Sequence, residues 1–520
     1  MKTIKIILPF IALMLFSCSD FLDVNETPNN PTAETVPPNL ILAGAHANSY
    51  RTLAITMNDL GNVWMNNWGA NVNSFTGGYN DEFSLAINNT FNAGIWNGIY
   101  LNTANYTNII NSTYPNFENH KAIAKIMKSY YFQYIVDLYG DAPYSEAHLG
   151  TANLTPSYDD SKAIYRDLYA KLDEAIDDIQ NAPSTATVVG SEDVIMNGDM
   201  NKWVKFANTV KLRLLLRQSN LAGVDAETQT YLTAKFAEMV ADNSQFIGSG
   251  DSVTINPGYS NGNDAQQNPF YSRWGKNLDG TDRTSFNFTR ASHHAATFLN
   301  GEQPGYSVVD GRRGRIYSLI GTPLKVVGVK QGDSSVPTGT APAAMSTLGA
   351  GILSGPGQDG YIMTSSESML LQAEAIARGY LTTGDANALF EAAIADSYSI
   401  LGAGSSTAYA TSISTVPGFG YSGSTTLDDK IKAIMIQKWI ALNGNNAIES
   451  WIEYTRTGYP RTPLAITTQY PSKPNRIMYP NTELIGNSAN VPTQTLSDVF
   501  STSIFWDVTA PIVETVESND

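Results

Sequence analysis

Gly258-Tyr259-Ser260-Asn261-Gly262 has the letters of a nucleophile elbow, in which a serine on a tight strand-to-helix turn attacks a carbonyl. That chemistry needs a helix directly after the serine. Here Asn263-Asp264-Ala265-Gln266-Gln267-Asn268-Pro269 follows, so the segment reads as a loop. The five histidines, His46, His120, His148, His293 and His294, form no H-E-x-x-H, and the adjacent pair would aim its rings apart on a helix. Neither a metal nor a cofactor is expected. Lys276–Asp282 offers oxygens but lacks the alternating acidic spacing of a calcium loop. Carboxylate pairs for glycoside hydrolysis can be drawn, such as Asp81-Glu82 or Glu449 and Glu453. The second pair, four apart on a helix, reads as structural ion pairing, and no constellation demands an enzyme.

Binding chemistry is better represented. Between Asn58 and Asn111 there are 15 asparagines, interleaved with Trp64, Trp68, Phe75, Tyr79, Phe83, Phe91 and Trp96. Flat aromatic faces stack on the C–H faces of sugar rings, and amides both donate to and accept from hydroxyls. A second stretch, Gln266–Phe288, sets Phe270, Tyr271, Arg273 and Trp274 beside Gln266, Gln267 and Asn268. The ligand-binding candidates are therefore Trp64, Asn67, Trp68, Phe75, Tyr79, Asn268, Tyr271, Arg273 and Trp274. Trp64 and Trp68 share one helical face, a spacing that serves a core as well as a ligand; Trp96, opening a helical run, reads as packing.

One residue carries covalent chemistry. Cys18 is the only cysteine, and it follows a basic stretch with Lys2 and Lys5, the apolar run Ile6–Phe16, and Ser17. That is the layout of a bacterial lipoprotein signal, in which the thiol after the cleavage site is acylated. Residues 1–17 are expected to be a signal peptide, 18–38 a lipidated, extended Asn- and Pro-rich tether, and 39–520 one folded domain. Charge supports a body facing solvent: −16 over 520 residues, falling to about −18 without Lys2 and Lys5, which disfavours nucleic acid and, in general, anionic ligands. A local arginine site could override that global charge.

The elements that must position these residues are mainly helical. Apolar residues recur at three- and four-residue steps over Leu40–Asn62, Trp96–Asn111, Ala122–Leu138, Asp159–Ile179, Asn201–Gln218, Gln229–Ala241, Glu367–Tyr380, Ala386–Leu401 and Asp428–Asn443. Asp242–Asp282 and Gly321–Gly360 break the pattern, and Tyr459–Asp520 reads as wrapping loops. No alternation is long enough for a dominant sheet. In the hairpin Glu367–Leu381/Ala386–Leu401, Ala386, Phe390 and Ala393 give the small-aromatic-small joint of tetratricopeptide repeats. The fold class is thus mainly α, tetratricopeptide-like helix pairs forming a scaffold with long irregular loop insertions.

Several segments together resemble one family. They are Cys18-Ser19-Asp20-Phe21-Leu22-Asp23-Val24-Asn25 with Asn30-Pro31, and Asp137-Leu138-Tyr139-Gly140-Asp141-Ala142-Pro143-Tyr144-Ser145-Glu146. They continue with Trp203-x-x-Phe206-Ala207-Asn208-x-x-Lys211-Leu212-Arg213, Ser366-Glu367-x-Met369-Leu370-Leu371-x-Ala373-Glu374, and Lys438–Arg456 with Thr457-Gly458-Tyr459-Pro460. In this order they resemble the SusD-like (SusD/RagB) outer-membrane lipoproteins of Bacteroidetes. The resemblance implies a surface-exposed, lipid-anchored, non-enzymatic protein that takes up nutrients such as glycans. As its partner it implies a SusC-like TonB-dependent barrel, on which it sits as a lid. It also implies that Gly140, Pro143, Trp451 and Arg456 are architectural and that ligand residues lie in variable loops, here Gly61–Phe83 and Gln266–Trp274. The alternatives are a peptide- or other nutrient-binding member of the same family, or a surface glycoside hydrolase.

Overall fold

The computed structural model describes residues 36–70, 78–333, 344–510 and 512–517. Cys18, most of the expected tether and Phe75 lie outside them. The first helix, α1 (Pro38–Thr52), starts at the prolines that close the expected tether. A proline at the first helical position loses no hydrogen bond and has its φ already set, so the start is well defined. The Leu40–Asn62 helix does not run evenly. It widens into a π-turn at Leu53–Met57 and continues as α2 (Asn58–Trp64).

The other long helices fall where periodicity placed them: α3 (Gly94–Ile110), α4 (Glu118–Tyr139), α5 (Ser161–Gln180), α6 (Met200–Arg217) and α7 (Ala226–Ala241). After a short helix, α8 (Pro269–Trp274), come α9 (Ser365–Ala377), α10 (Ala386–Leu401), α11 (Leu427–Leu442) and α12 (Ile448–Thr457). Starts are fixed by side-chain caps: Asp160, Asp199, Asp225, Thr364, Asp385 and Thr426 each accept a first-turn N–H that would otherwise lack a partner. Helices pack serially, α1 on α3, α3 on α4, α4 on α5, α5 on α6, α6 on α9 and α9 on α10 and α11, and α12 returns to α2. Ala386, Phe390 and Ala393 are buried in the α9–α10 joint, as their spacing predicts.

Strands are few among the described residues. β1 (Trp68–Ala70) pairs antiparallel with β3 (Thr289–Ala291), and β2 (Val253–Ile255) with β4 (Gly360–Met363). Two stretches read as irregular hold short helices, α8 in the first and Asn481–Gly486 and Leu496–Ser501 near the C-terminus. The C-terminal segment wraps the body as expected, and Trp506 is fully buried, donating its indole N–H to Asp137 at 2.9 Å.

The centre of the molecule is ionic. Arg213 of α6 meets Glu367 of α9 at 2.7 Å and Glu449 of α12 at 3.1 Å. Arg217, one turn on, meets Glu449, Glu453 and Asp137 at 2.8, 2.9 and 3.4 Å. Lys438 of α11 reaches Glu453 at 3.0 Å, and Arg456 grips both oxygens of Glu374 at 2.8 Å. All these side chains are buried. Burial opposes ionisation of Glu449, yet Arg213, Arg217 and Lys438 together hold its carboxyl at about 2. The quoted motifs from Asp137 onward therefore converge on one buried cluster in which five helices are cross-linked by charge. Glu449 and Glu453 are structural, as their spacing suggests.

Candidate functional site

The two loops flagged for binding do meet. β1 follows α2 and pairs with β3, while α8 lies against the same strand, so Trp68 packs edge-on to Trp274 at 5.3 Å and near Phe270 at 6.3 Å. Their aromatic faces, however, point inward. Trp68 and Trp274 are 0% exposed and Trp64 is 4% exposed, wedged edge-on to Trp451 at 4.7 Å and stacked on Phe91 at 5.6 Å. The Trp68 indole donates to Asn443 at 3.2 Å. Tyr79 is also buried, its hydroxyl 2.9 Å from that of Thr289 and its ring between Phe83 and Phe288. These four rings are core, which corrects the expectation that they form a platform for a ligand.

The amides follow them inside. Asn67 is buried, donating to the Asn62 side chain, and its carbonyl accepts from Ser292 N and the Tyr317 hydroxyl. Asn268 caps α8, its oxygen accepting from the N–H groups of Phe270 at 2.9 Å and Tyr271 at 3.1 Å. Asn58 and Asn62 satisfy the backbone of the turn after α11. Asn58 donates to Gly444 O and accepts from Ala447 N, and Asn62 accepts from Gly444 N. Gly61 permits the approach, since a Cβ there would sit 2.1 Å from Ile448 N. Buried backbone groups need partners, and a short amide supplies both kinds. Asn58, Asn62 and Asn67 are thus explained by packing.

Two of the eight described candidates are not fully buried. Tyr271 is half-buried and Arg273 is exposed, both on α8. Within electrostatic reach of Arg273 is Asp59, itself neighboured by Glu82, a carboxyl pair that the sequence patterns gave no reason to select for binding. Burial, then the neighbouring Glu82, pushes Asp59 up to about 7, opposed by a hydrogen bond from Tyr79 and the charge of Arg273. Burial also raises Glu82. Phe286 and Phe288, both half-buried, flank this rim. The arrangement offers one aromatic ring, one guanidinium and two carboxyls, of which Asp59 is partly protonated near neutrality and Glu82 is raised by burial. That set can engage sugar hydroxyls as donor and acceptor. Among the described residues no group of three or more His, Cys, Asp or Glu side chains comes together to hold a metal.

A family model described as "Starch-binding associating with outer membrane" matches residues 28–480. The chain belongs to the SusD-like family. Solved structures agree on the fold. A chitin-binding SusD homolog from Flavobacterium johnsoniae is 22% identical with a TM-score of 0.71, covering 90% of this chain and 99% of that one. A SusD-like protein from Bacteroides thetaiotaomicron is 20% identical with a TM-score of 0.70 and the same coverage. A SusD homolog from Bacteroides vulgatus is 21% identical with a TM-score of 0.68, covering 88% and 93%. No curated protein matches. In this SusD-like chain no helix of the described residues is long and apolar enough to cross a membrane.

The family motifs acquire physical roles here. Gly140, at φ +81°, ends α4, and a Cβ on it would press on the Arg476 guanidinium at 3.3 Å. The Pro143 carbonyl accepts from the Tyr100 hydroxyl at 2.6 Å, and Trp451 is buried against Trp64.

Proposed function

We propose that this SusD-like protein is a surface lipoprotein, anchored through acylated Cys18, that binds glycans and hands them to a SusC-like TonB-dependent barrel. Residues 18–38 act as the tether and 39–520 as one binding body, and catalysis is not part of its role. The observation that carries the reading is the rim on α8: half-buried Tyr271 and exposed Arg273, whose charge acts on Asp59 beside Glu82, at the meeting of the two loops. Membership of a starch-binding family and a chitin-binding neighbour in fold support a sugar as the ligand. A single aromatic face and one guanidinium bury little area, so affinity in the isolated protein is weak, and enclosure against the barrel adds the rest.

Isothermal titration of the purified protein against a panel of neutral oligosaccharides and oligopeptides tests this. Heat with at least one sugar and none with peptides is the expected result. Heat with peptides alone would redirect the reading to a peptide-binding member of the same family, and release of reducing ends from any polysaccharide would refute a purely binding role.

A further inference from the structure

A second concavity lies away from the α8 rim. A cleft of about 660 Å³ runs past His293, His294 and the segment Arg461–Pro463, and it leads into a chamber of about 190 Å³. The two share His294, Gln303, Pro304 and Arg461, so they are continuous.

The chamber has an aromatic wall with a fixed order. Phe298 is edge-on to Trp439 at 5.3 Å, Tyr306 stacks on Phe298 at 4.7 Å, and Phe419 stacks on Tyr306 at 4.5 Å. The inner rings are buried, and the ladder ends on half-buried Phe419. Half-buried Tyr459 also lines the chamber, its hydroxyl donating to Asp428 at 2.7 Å. Half-buried Phe419, held by the ladder, is its accessible end and offers a flat apolar ring without the entropy cost of ordering a loose side chain.

Its polar groups are neutral at one end and cationic at the other. Burial, then the charges of Lys473 and His293, pushes His294 down to about 3, so the imidazole is uncharged. Gln303 donates to Thr297 at 2.6 Å, while its carbonyl oxygen and His294 Nε2 make no hydrogen bond among the described residues. Lys432 and Arg461 are the charged residues of the chamber lining, and no Asp or Glu lines it. Lys432 makes no ion pair among the described residues; its ammonium lies 5.1 Å from the centre of the Phe419 ring. Arg461 reaches Glu514 only at 3.7 Å and is more than half exposed. The acidic residues Glu302, Glu514 and Glu517 belong to the outer cleft. A locally cationic pocket in a chain of charge −16 is a departure that needs a reason.

We infer that this chamber is a second sugar subsite, built for a ring that carries a carboxylate. The ring's C–H face would lie on Phe419 and its carboxylate between Lys432 and Arg461, whose guanidinium fork matches that group. His294 and Gln303 would meet its hydroxyls, and neighbouring sugars would follow the outer cleft. The inference rests on the glycan-binding reading above and specifies part of its substrate class.

Titration of the full-length protein with two tetrasaccharides, one ending in glucuronic acid and its counterpart ending in glucose, tests it. The acidic sugar is expected to bind at least tenfold tighter at low salt, and the preference to shrink as salt rises. Lys432→Met with Arg461→Gln is expected to abolish the preference while leaving the neutral sugar unaffected. Phe419→Ala should weaken the acidic sugar in a protein whose charges are intact. Equal affinity for the two sugars, or a preference that survives the double substitution, overturns the subsite and leaves glycan binding at α8 standing. Binding of oligopeptides with no response to either sugar defeats both readings. Thermal melting of each variant, unchanged from the parent, shows that folding is not what was measured.

Discussion

The buried ion cluster and the α8 rim are both made of charged and aromatic residues, yet they obey opposite rules. In the cluster Arg213, Arg217, Lys438 and Arg456 are matched by Asp137 of α4, Glu367 and Glu374 of α9, and Glu449 and Glu453 of α12, and all are buried. At the rim Tyr271 is half-buried and Arg273 exposed, and Asp59 and Glu82 make no salt bridge among the described residues, Asp59 feeling Arg273 only through its charge. Desolvated charges must be fully paired, whereas a group meant for a ligand must be left with capacity to spare. The strongest sequence motifs of the chain mark the first region, and the residues proposed to meet the ligand belong to the second.

The contrast can be broken most forcefully at its centre. Arg217→Met leaves Asp137 without its cation and takes one cation each from Glu449 and Glu453, and is expected to cost about 3–5 kcal/mol in denaturant unfolding. Glycan affinity per folded molecule should not change. Trp68→Ala removes a fully buried ring beside Trp274 and is expected to cost a comparable 3–5 kcal/mol. A selective loss of sugar affinity without loss of stability in that variant would return Trp68 to the binding surface.

The pH dependence sharpens the same comparison. Asp59 and Glu517, both held up at about 7, favour folding as pH falls from 8 towards 5, because the folded state takes the proton first. His46 and His148, held down at about 4 by burial, oppose this below pH 6.5, where only the unfolded chain is protonated. The melting temperature is therefore expected to stay nearly level between pH 7 and 5. Below about 4.5 Glu449 loses its advantage, since its folded value of about 2 lies under the unfolded one, and stability falls. A melting series across pH 8 to 3 checks the shape. Smallest in its effect on folding is Cys18→Ala, which is expected to release the protein from the membrane fraction and leave the melting temperature unchanged.

Periodicity located the long helices because each buries a continuous stripe, and the Ala386/Phe390/Ala393 joint was legible because close helix approach demands small residues. The rim was not. Trp64 and Trp68 have helical spacing, but Trp64 ends α2 and Trp68 opens β1, so they share no helical face, and their burial is decided by α12 and α8, hundreds of residues away in the chain. The π-turn at Leu53–Met57 had no pattern of its own. Asparagine density looked like a binding surface, yet Asn58 and Asn62 serve the backbone of the Asn443–Ala447 turn. Polar composition records that partners are needed without saying whether they are ligand or protein. Asp59 was hidden for a related reason, being one acidic residue in a helical run until the fold brings it within electrostatic reach of Arg273.

The central claim is that the α8 rim, and not the buried tryptophans, captures the sugar. Titration of the parent and the Tyr271→Ala/Arg273→Gln variant, with the neutral oligosaccharide that binds best in the panel, tests it directly. The account predicts a loss of at least about tenfold in affinity, roughly 1.4 kcal/mol, with unfolding stability changed by less than about 1 kcal/mol. Unchanged affinity in a folded variant would contradict it.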